Sequence, residues 1–385
     1  MYNVVILGIV SLLTDISTEM VYPLLPIFLT SSLGVSPAIV GVIEGIAESL
    51  ASLLKVFSGY IGDKTKRKKE LAIVGYGGSF LGKAVLLLAG SWGMVLLARM
   101  IDRLGKGIRT APRDALIADA ADPKARGRAF GLHRAMDTLG ATVGVAIAYL
   151  LLTGSSAMSN EAFKRIFLLS MIPAMLGVLA LFLVRQPRAA REGAKSLSFS
   201  WGKLNGKLKA FLILAFVFTL GNSSNQFLLL KASHLGASVP TVLLMYLVYN
   251  LSYGALSYPA GRFSDKVGRK RVLVAGYLIY ALVYFAFARV SEASNLWLLF
   301  IVYGFYIAFT HGVEKALLAD IAPADVRGTV MGLHATLVGV ALLPASLIAG
   351  FLWDWLGAAS PFYFGSIMGL AAALGLVYIL RDETL

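Results

Sequence analysis

Cysteine is absent from the 385 residues, so disulfides and thiolate metal sites are excluded and the redox compartment leaves no mark. Charge is scarce: Asp, Glu, Lys and Arg make up 15% of the chain, against 58% hydrophobic residues and a mean hydropathy of +0.76. A soluble domain of this length carries more charge and less apolar mass, and a disordered or collagen-like chain carries far less. No G-x-x-x-x-G-K-[ST] phosphate loop occurs, which argues against ATP as the energy source. No H-x-x-x-H pair and no nucleophile–base constellation stands out, so neither a dedicated metal site nor an enzyme is expected, and no cofactor is implied. Acids are the scarcer sign, 21 against 35 bases, for a net charge of +14.

What is present is a series of long apolar runs. A helix needs about 20 such residues to cross a bilayer. Twelve candidates lie near 3–29, 37–59, 71–90, 92–117, 128–152, 164–184, 209–231, 239–261, 272–289, 295–318, 329–352 and 361–380. They are too long and too evenly apolar for barrel strands. The first carries Asp15 and Glu19 and lacks a basic start and a small-residue cleavage site, so it reads as a retained helix. The expected fold class is an all-α membrane protein of twelve transmembrane helices.

The bases sit in short loops. Residues 62–70 hold Lys64, Lys66, Arg67, Lys68 and Lys69, residues 264–271 hold Lys266, Arg269, Lys270 and Arg271, and the central stretch 185–209 holds seven more. Loops 30–36, 90–91, 153–163 and 353–360 hold none. Basic loops stay on the cytoplasmic side, which predicts cytoplasmic termini and an integral plasma (bacterial inner) membrane protein. The net charge then suits anionic headgroups at the cytoplasmic face rather than a nucleic acid. Phe199, Trp201 and Leu204 interleaved with Lys203 and Lys207 suit either a surface-lying segment or a solvated tether.

The halves repeat. Residues 115–134 align without gaps to 316–335 at an offset of 201, with ten identities that include Asp119/Asp320, Arg126/Arg327 and His133/His334. At an offset of 202, Gly59, Asp63, Lys64, Arg67 and Lys68 match Gly261, Asp265, Lys266, Arg269 and Lys270. Two pseudo-symmetric six-helix bundles follow, 1–184 and 209–385, joined by a cytoplasmic linker, 185–208. Repeats of this kind flank one substrate path in transporters.

The Gly59-x-x-x-Asp63-x-x-x-Arg67-Lys68 loop and its echo after the eighth span resemble the signature loop of the major facilitator superfamily. The A-D-x-x-x-x-x-x-R-G stretches after the fourth and tenth spans and Arg103-x-x-x-Gly107 are similar to further motifs of that family. The resemblance covers the whole chain and implies secondary transport by alternating access. It also implies that Asp63, Arg67, Asp119 and Arg126, with Asp265, Arg269, Asp320 and Arg327, latch helix ends. Gly140 and Gly144 partly match a glycine motif of the family's proton antiporters and tilt the reading toward export.

Charge inside the spans is expensive and marks function. Asp15 and Glu19 are one turn apart. Glu44, Glu48 and Lys55 share one face of the second span, and Arg99, Asp102, Arg103, Lys106 and Arg113 approximate a stripe on the fourth. Two carboxyls one turn apart repel as anions in a low dielectric, so Asp15, Glu19, Glu44 and Glu48 are candidates for proton coupling. Arg99 and Arg103 are candidates for an anionic substrate group or for tuning the proton carrier; a buried ion-pair network is the bland alternative. Lys55, Arg109 and Arg113 are expected to snorkel to headgroups. His133 and His334 share one repeat position and read as scaffold. In the second half Asn222, Asn250, Tyr249, His311 and Glu314 suit a substrate with ring and polar parts. The expected activity is proton-coupled export of a small organic, possibly amphipathic, compound by a monomer. Import of an organic anion, metal-ion export and a non-transporting receptor are the alternatives.

Overall fold

The computed structural model describes residues 2–65, 67–121, 126–153, 159–185, 204, 206–322 and 327–379, apart from the side chains of 56, 59, 60, 62–65, 126, 127 and 327–329. Phe199, Trp201 and Lys203 of the central stretch lie outside the described residues. Every regular element described is helical. The helices are α1 Tyr2–Val21, α2 Pro37–Thr65, α3 Lys68–Leu87, α4 Trp92–Ala120, α5 Arg126–Leu152, α6 Asn160–Leu181, α7a Gly206–Gly221, α7b Gln226–His234, α8 Val239–Val267, α9 Arg269–Arg289, α10 Leu296–Ile321, α11 Arg327–Leu356 and α12 Ser360–Ile379. Ser91, Ser159 and Ser238 cap α4, α6 and α8, each accepting from the amide three residues on.

Among the described residues eleven spans are long and apolar enough to cross a membrane, taking α7a with α7b as one. The twelfth expected span, α4, has the length: its 29 residues reach about 43 Å at 1.5 Å per residue. It falls short only in apolar content, because Arg99, Asp102, Arg103, Lys106, Arg109, Arg113 and Asp114 lie along it.

Two compact units divide the chain, Met1–Val35 with Ile46–Lys195, and Ser36–Gly45 with Ser196–Leu385. In the first, α1 packs on α5 and α6, and α3 on α4 and α6. In the second, α7 packs on α11 and α12, and α9 on α10 and α12. The pairings are the same with six added to each helix number, so the repeat in sequence is a repeat in topology.

The helices differ in how closely they approach. Gly140 and Gly144 lie on the backbone of α1: a Cβ at either would run into the carbonyl of Leu12 or Ile16. The partial antiporter-like glycine motif thus has a packing role, small residues letting two backbones touch.

Two spans are irregular. After α1 the chain runs through a 3-10 turn at Tyr22–Leu24 and a π turn at Phe28–Ser32, with Pro23 and Pro26 removing backbone donors between them. Between α7a and α7b, residues 222–225 leave the helix. Tyr280 Oη donates to the freed carbonyl of Gly221 at 2.7 Å. Backbone released at membrane depth needs such partners.

Candidate functional site

In the first unit the polar side chains are ionic. Arg99 and Arg103, one turn apart on α4, are buried at 4% and 3% exposure. Arg103 Nε lies 3.1 Å from Glu48 Oε1 on α2, and Arg99 Nη2 lies 3.9 Å from the same oxygen. Asp102 receives three cations: Arg99 at 3.5 Å, Arg103 at 3.9 Å and Lys83 of α3 at 3.9 Å. Both guanidinium groups stand over the Tyr22 ring, 5.5 and 5.8 Å from its centroid, within cation–π range. Lys83 Nζ also donates to Thr18 Oγ1 at 3.4 Å. A small pocket opens beside this cluster, its polar lining Thr18, Tyr22, Lys83, Arg99 and Asp102.

Asp15 stands apart from that network. It is half-buried on α1, and among the described residues no basic side chain forms an ion pair with it. Its leading electrostatic neighbours are two acids, Asp137 of α5 and Glu19, with Arg109 and Lys106 behind them. Asp137 accepts from Ser11 Oγ and lies 3.7 Å from His133 Nδ1. Glu19 is half-buried one turn on, and Glu44 is 1% exposed. Of the four proton-coupling candidates, Glu48 is held between two arginines and Asp15 is not.

Arg109 departs from the snorkelling expectation. It is 6% exposed, donates to Ser79 Oγ and lies 4.4 Å over the Tyr76 ring. Arg113 pairs with Asp114 at 2.8 Å. Tyr76 and Ser79 of α3 reach Arg109, which spacing along α4 alone could not reveal.

In the second unit the polar contacts around the break in α7 are neutral. Asn222 Nδ2 donates to Tyr306 Oη at 2.8 Å, Tyr303 Oη donates to Asn225 Oδ1 at 2.7 Å, and Asn225 Nδ2 reaches Tyr249 Oη at 3.3 Å. Tyr249, Tyr280, Tyr284, Tyr303 and Tyr306 form a chain of ring contacts. Asn222 and Tyr249 therefore meet this network, whereas Asn250 donates to its own helix at Tyr246 O. His311 stacks on Tyr253. Glu314 lies against His334 Nε2 at 2.6 Å. Gln226, at the start of α7b, is fully buried, and neither side-chain atom has a hydrogen-bond partner among the described residues. Asn225 and Gln226, polar residues within the seventh span, stand where α7 breaks.

At the loop ends, Arg269 Nη1 lies 2.7 Å from Asp320 and Arg269 Nη2 3.5 Å from Asp265, while Nη1 also donates to Ala316 O. In the first unit Asp119 is bridged by Lys68 at 2.8 Å, and Arg67 lies 3.7 Å from Glu70. The side chains of Asp63, Arg126 and Arg327 lie outside the described residues.

The sequence profile of the Major Facilitator Superfamily matches residues 7–224 and 210–385. The chain belongs to that superfamily. An uncharacterised MFS-type transporter of Methanocaldococcus jannaschii is 36% identical over 385 residues, covering 98% of this chain and 94% of the relative. The multidrug resistance protein MdtH of Salmonella newport is 25% identical over 341 residues, 87% of this chain and 82% of the relative. Among solved structures, the nucleoside transporter NupG superposes with a TM-score of 0.80 at 14% identity, covering 100% of both chains, a likeness of fold. This superfamily member is an integral membrane transporter, and its substrates are small molecules.

Proposed function

We propose that this transporter couples export of a small organic compound to proton entry by alternating access. The observation that carries the reading is Asp15: a half-buried carboxyl at membrane depth, with acids as its leading neighbours and no basic partner among the described residues. An anion there is costly, and a proton relieves it. Glu19 is the second candidate carrier and Glu44 the third. Glu48, paired with Arg99 and Arg103, holds the helices that frame the pocket. Residues 1–184 and 209–385 act as the two moving bundles, with 185–208 as the linker and both termini on the cytoplasmic side of a bacterial inner membrane. Arg269 with Asp265 and Asp320 forms one latch, and the loop of Asp63, Arg67, Asp119 and Arg126 the other. The protein works as a monomer. The multidrug resistance relative favours an amphipathic substrate, for which Tyr249, Tyr303 and Tyr306 offer ring faces and Asn222 an amide.

A second reading is favoured by the pocket beside Lys83 and Arg99: import of an organic anion whose acidic group enters there. Inverted vesicles loaded with an acidic lumen separate the two. Export predicts gradient-driven uptake of ethidium with release of lumenal protons, and Asp15→Asn reduces that coupling by about tenfold or more, equivalent to 1.4 kcal/mol or more. Gradient-driven movement of fluorescein in place of ethidium would favour the anion reading. Uptake of ethidium that ignores the pH gradient in the wild type would remove proton coupling.

A further inference from the structure

The small pocket of the first unit is walled by the end of α1, by α3 and by α4, and two of its lining groups lack close partners. Lys83 is 5% exposed, and its ammonium has three protons to donate. Among the described residues one of them reaches Thr18 Oγ1, at a long 3.4 Å, while Asp102 Oδ1 stands 3.9 Å off. The Asp102 carboxylate is short of donors in turn. Arg99 lies 3.5 Å from it and Arg103 and Lys83 each 3.9 Å, all beyond the distance of about 3.2 Å at which an N–H donates well. The Thr18 hydroxyl accepts from Lys83, and among the described residues its own proton has no acceptor.

The internal repeat shows that an opening here is not dictated by the fold. At the 201-residue offset Lys83 and Asp102 correspond to Tyr284 and Tyr303. Those two rings touch, with centroids 6.1 Å apart, and are 1% and 0% exposed. Where the second unit fills these positions with aromatic rings, the first sets two opposite charges at the edge of a space.

We propose that this pocket binds a small zwitterion, its carboxylate toward Lys83 and the Thr18 hydroxyl and its ammonium toward Asp102. A simple anion placed there meets the Asp102 carboxylate, and a simple cation meets Lys83 and Arg99, each repelled strongly where little water screens the pair. A ligand with both signs on neighbouring atoms makes the charges alternate and supplies the close, charge-assisted hydrogen bonds that Lys83 and Asp102 lack. Val21, Leu25 and Leu86 give the rest of the lining an aliphatic character, which suits an apolar substituent of about methyl size in a pocket this small. An amino acid of the size of alanine has all three features.

The inference rests on the second reading above only in taking the pocket as a ligand's. It replaces a net anion by a neutral pair of charges, and binding needs no import.

The test measures binding to the full-length protein in lipid nanodiscs by saturation-transfer NMR, with three probes of similar shape. These are L-alanine, isobutyrate (a methyl in place of the ammonium) and isopropylamine (a methyl in place of the carboxylate). Alanine is expected to bind more tightly than either analogue by about tenfold or more, and Lys83→Met to weaken alanine by a similar factor. Thr18→Val, which keeps the side-chain shape and removes only the hydroxyl, weakens it by a smaller factor and carries the test should Lys83→Met not fold. Isobutyrate binding as tightly as alanine makes this an anion site, and isopropylamine doing so makes it a cation site; either overturns the proposal. So does an absence of alanine binding, or alanine binding that is the same in wild type and variants. Alanine bound in a protein that does not move fluorescein would remove the import reading and leave this site standing, whereas fluorescein moved without alanine bound would do the reverse.

Discussion

Where α4 carries Arg113, α10 carries Glu314, and the exchange is representative of how the two units handle polarity between helices. The first unit joins α2, α3 and α4 with full charges: Glu48, Lys83, Arg99, Asp102 and Arg103. The second joins α7, α8 and α10 with tyrosine hydroxyls and asparagine amides. Removing one member of a buried ionic set strands its partners, whereas a lost neutral hydrogen bond costs about 1 kcal/mol plus any desolvation left behind. One topology thus supports two regimes: a stiff, ionic one and a softer one that tolerates rearrangement.

The largest expected effect tests the ionic side. Asp102→Ala leaves Arg99 and Arg103 sharing Glu48 and strips Lys83 of its acidic partner, and should lower the stability of the purified protein by about 3–5 kcal/mol. Adding Lys83→Met should return part of it. A loss near zero in thermal unfolding would erase the contrast between the units.

The next compares backbone approach. The repeat places Ala341 and Ala345 of α11 where α5 has Gly140 and Gly144. Gly144→Ala pushes a methyl into the α1 backbone and should cost about 1–3 kcal/mol, while Ala345→Gly should cost about 1 kcal/mol through helix propensity and lost packing. Equal losses in the two would mean that both interfaces can spread.

A third pair concerns the break in α7. Asn225→Leu removes partners from Tyr303 and Tyr249 and should cost about 1–3 kcal/mol. Gln226→Leu replaces an unsatisfied buried amide and should be neutral or stabilising. If the same change abolishes transport, Gln226 has a partner in the working cycle.

The smallest stability effect belongs to the loop ends. Asp265→Ala removes a half-exposed contact to Arg269 and should change stability by no more than about 1 kcal/mol. If the latch acts, transport in sealed vesicles falls severalfold although unfolding barely moves.

Apolar run lengths, basic loops and the internal repeat made the helix count and the matched topology legible before any coordinates. The same-face spacing of Arg99, Asp102 and Arg103 pointed to a polar interface. What spacing left open is which groups cross between helices. Lys83 on α3 gave no sign that it would face Asp102, and Arg109 looked like a headgroup anchor because its distance to Tyr76 and Ser79 is set by helix packing. His334 read as scaffold since its twin His133 occupies the same repeat position; the partners differ, Glu314 in one case and Asp137 in the other, and a repeat alignment hides partners. The α7 break carried a sign in Gly221-Asn222-Ser223-Ser224-Asn225-Gln226, but the apolar residues on both sides led the run 209–231 to be expected as one uninterrupted helix.

The polarity of α4 bears on how the protein is made. Arg99, Asp102, Arg103 and Lys106 at helix-centre penalties of roughly 2.5–3.5 kcal/mol each outweigh what its leucines and valines return at about 0.3–0.6 kcal/mol apiece. Alone, this segment would stay outside the lipid. Its integration has to wait for Glu48 and Lys83 to arrive on the two segments synthesised before it, so assembly of the first half is ordered by charge neutralisation.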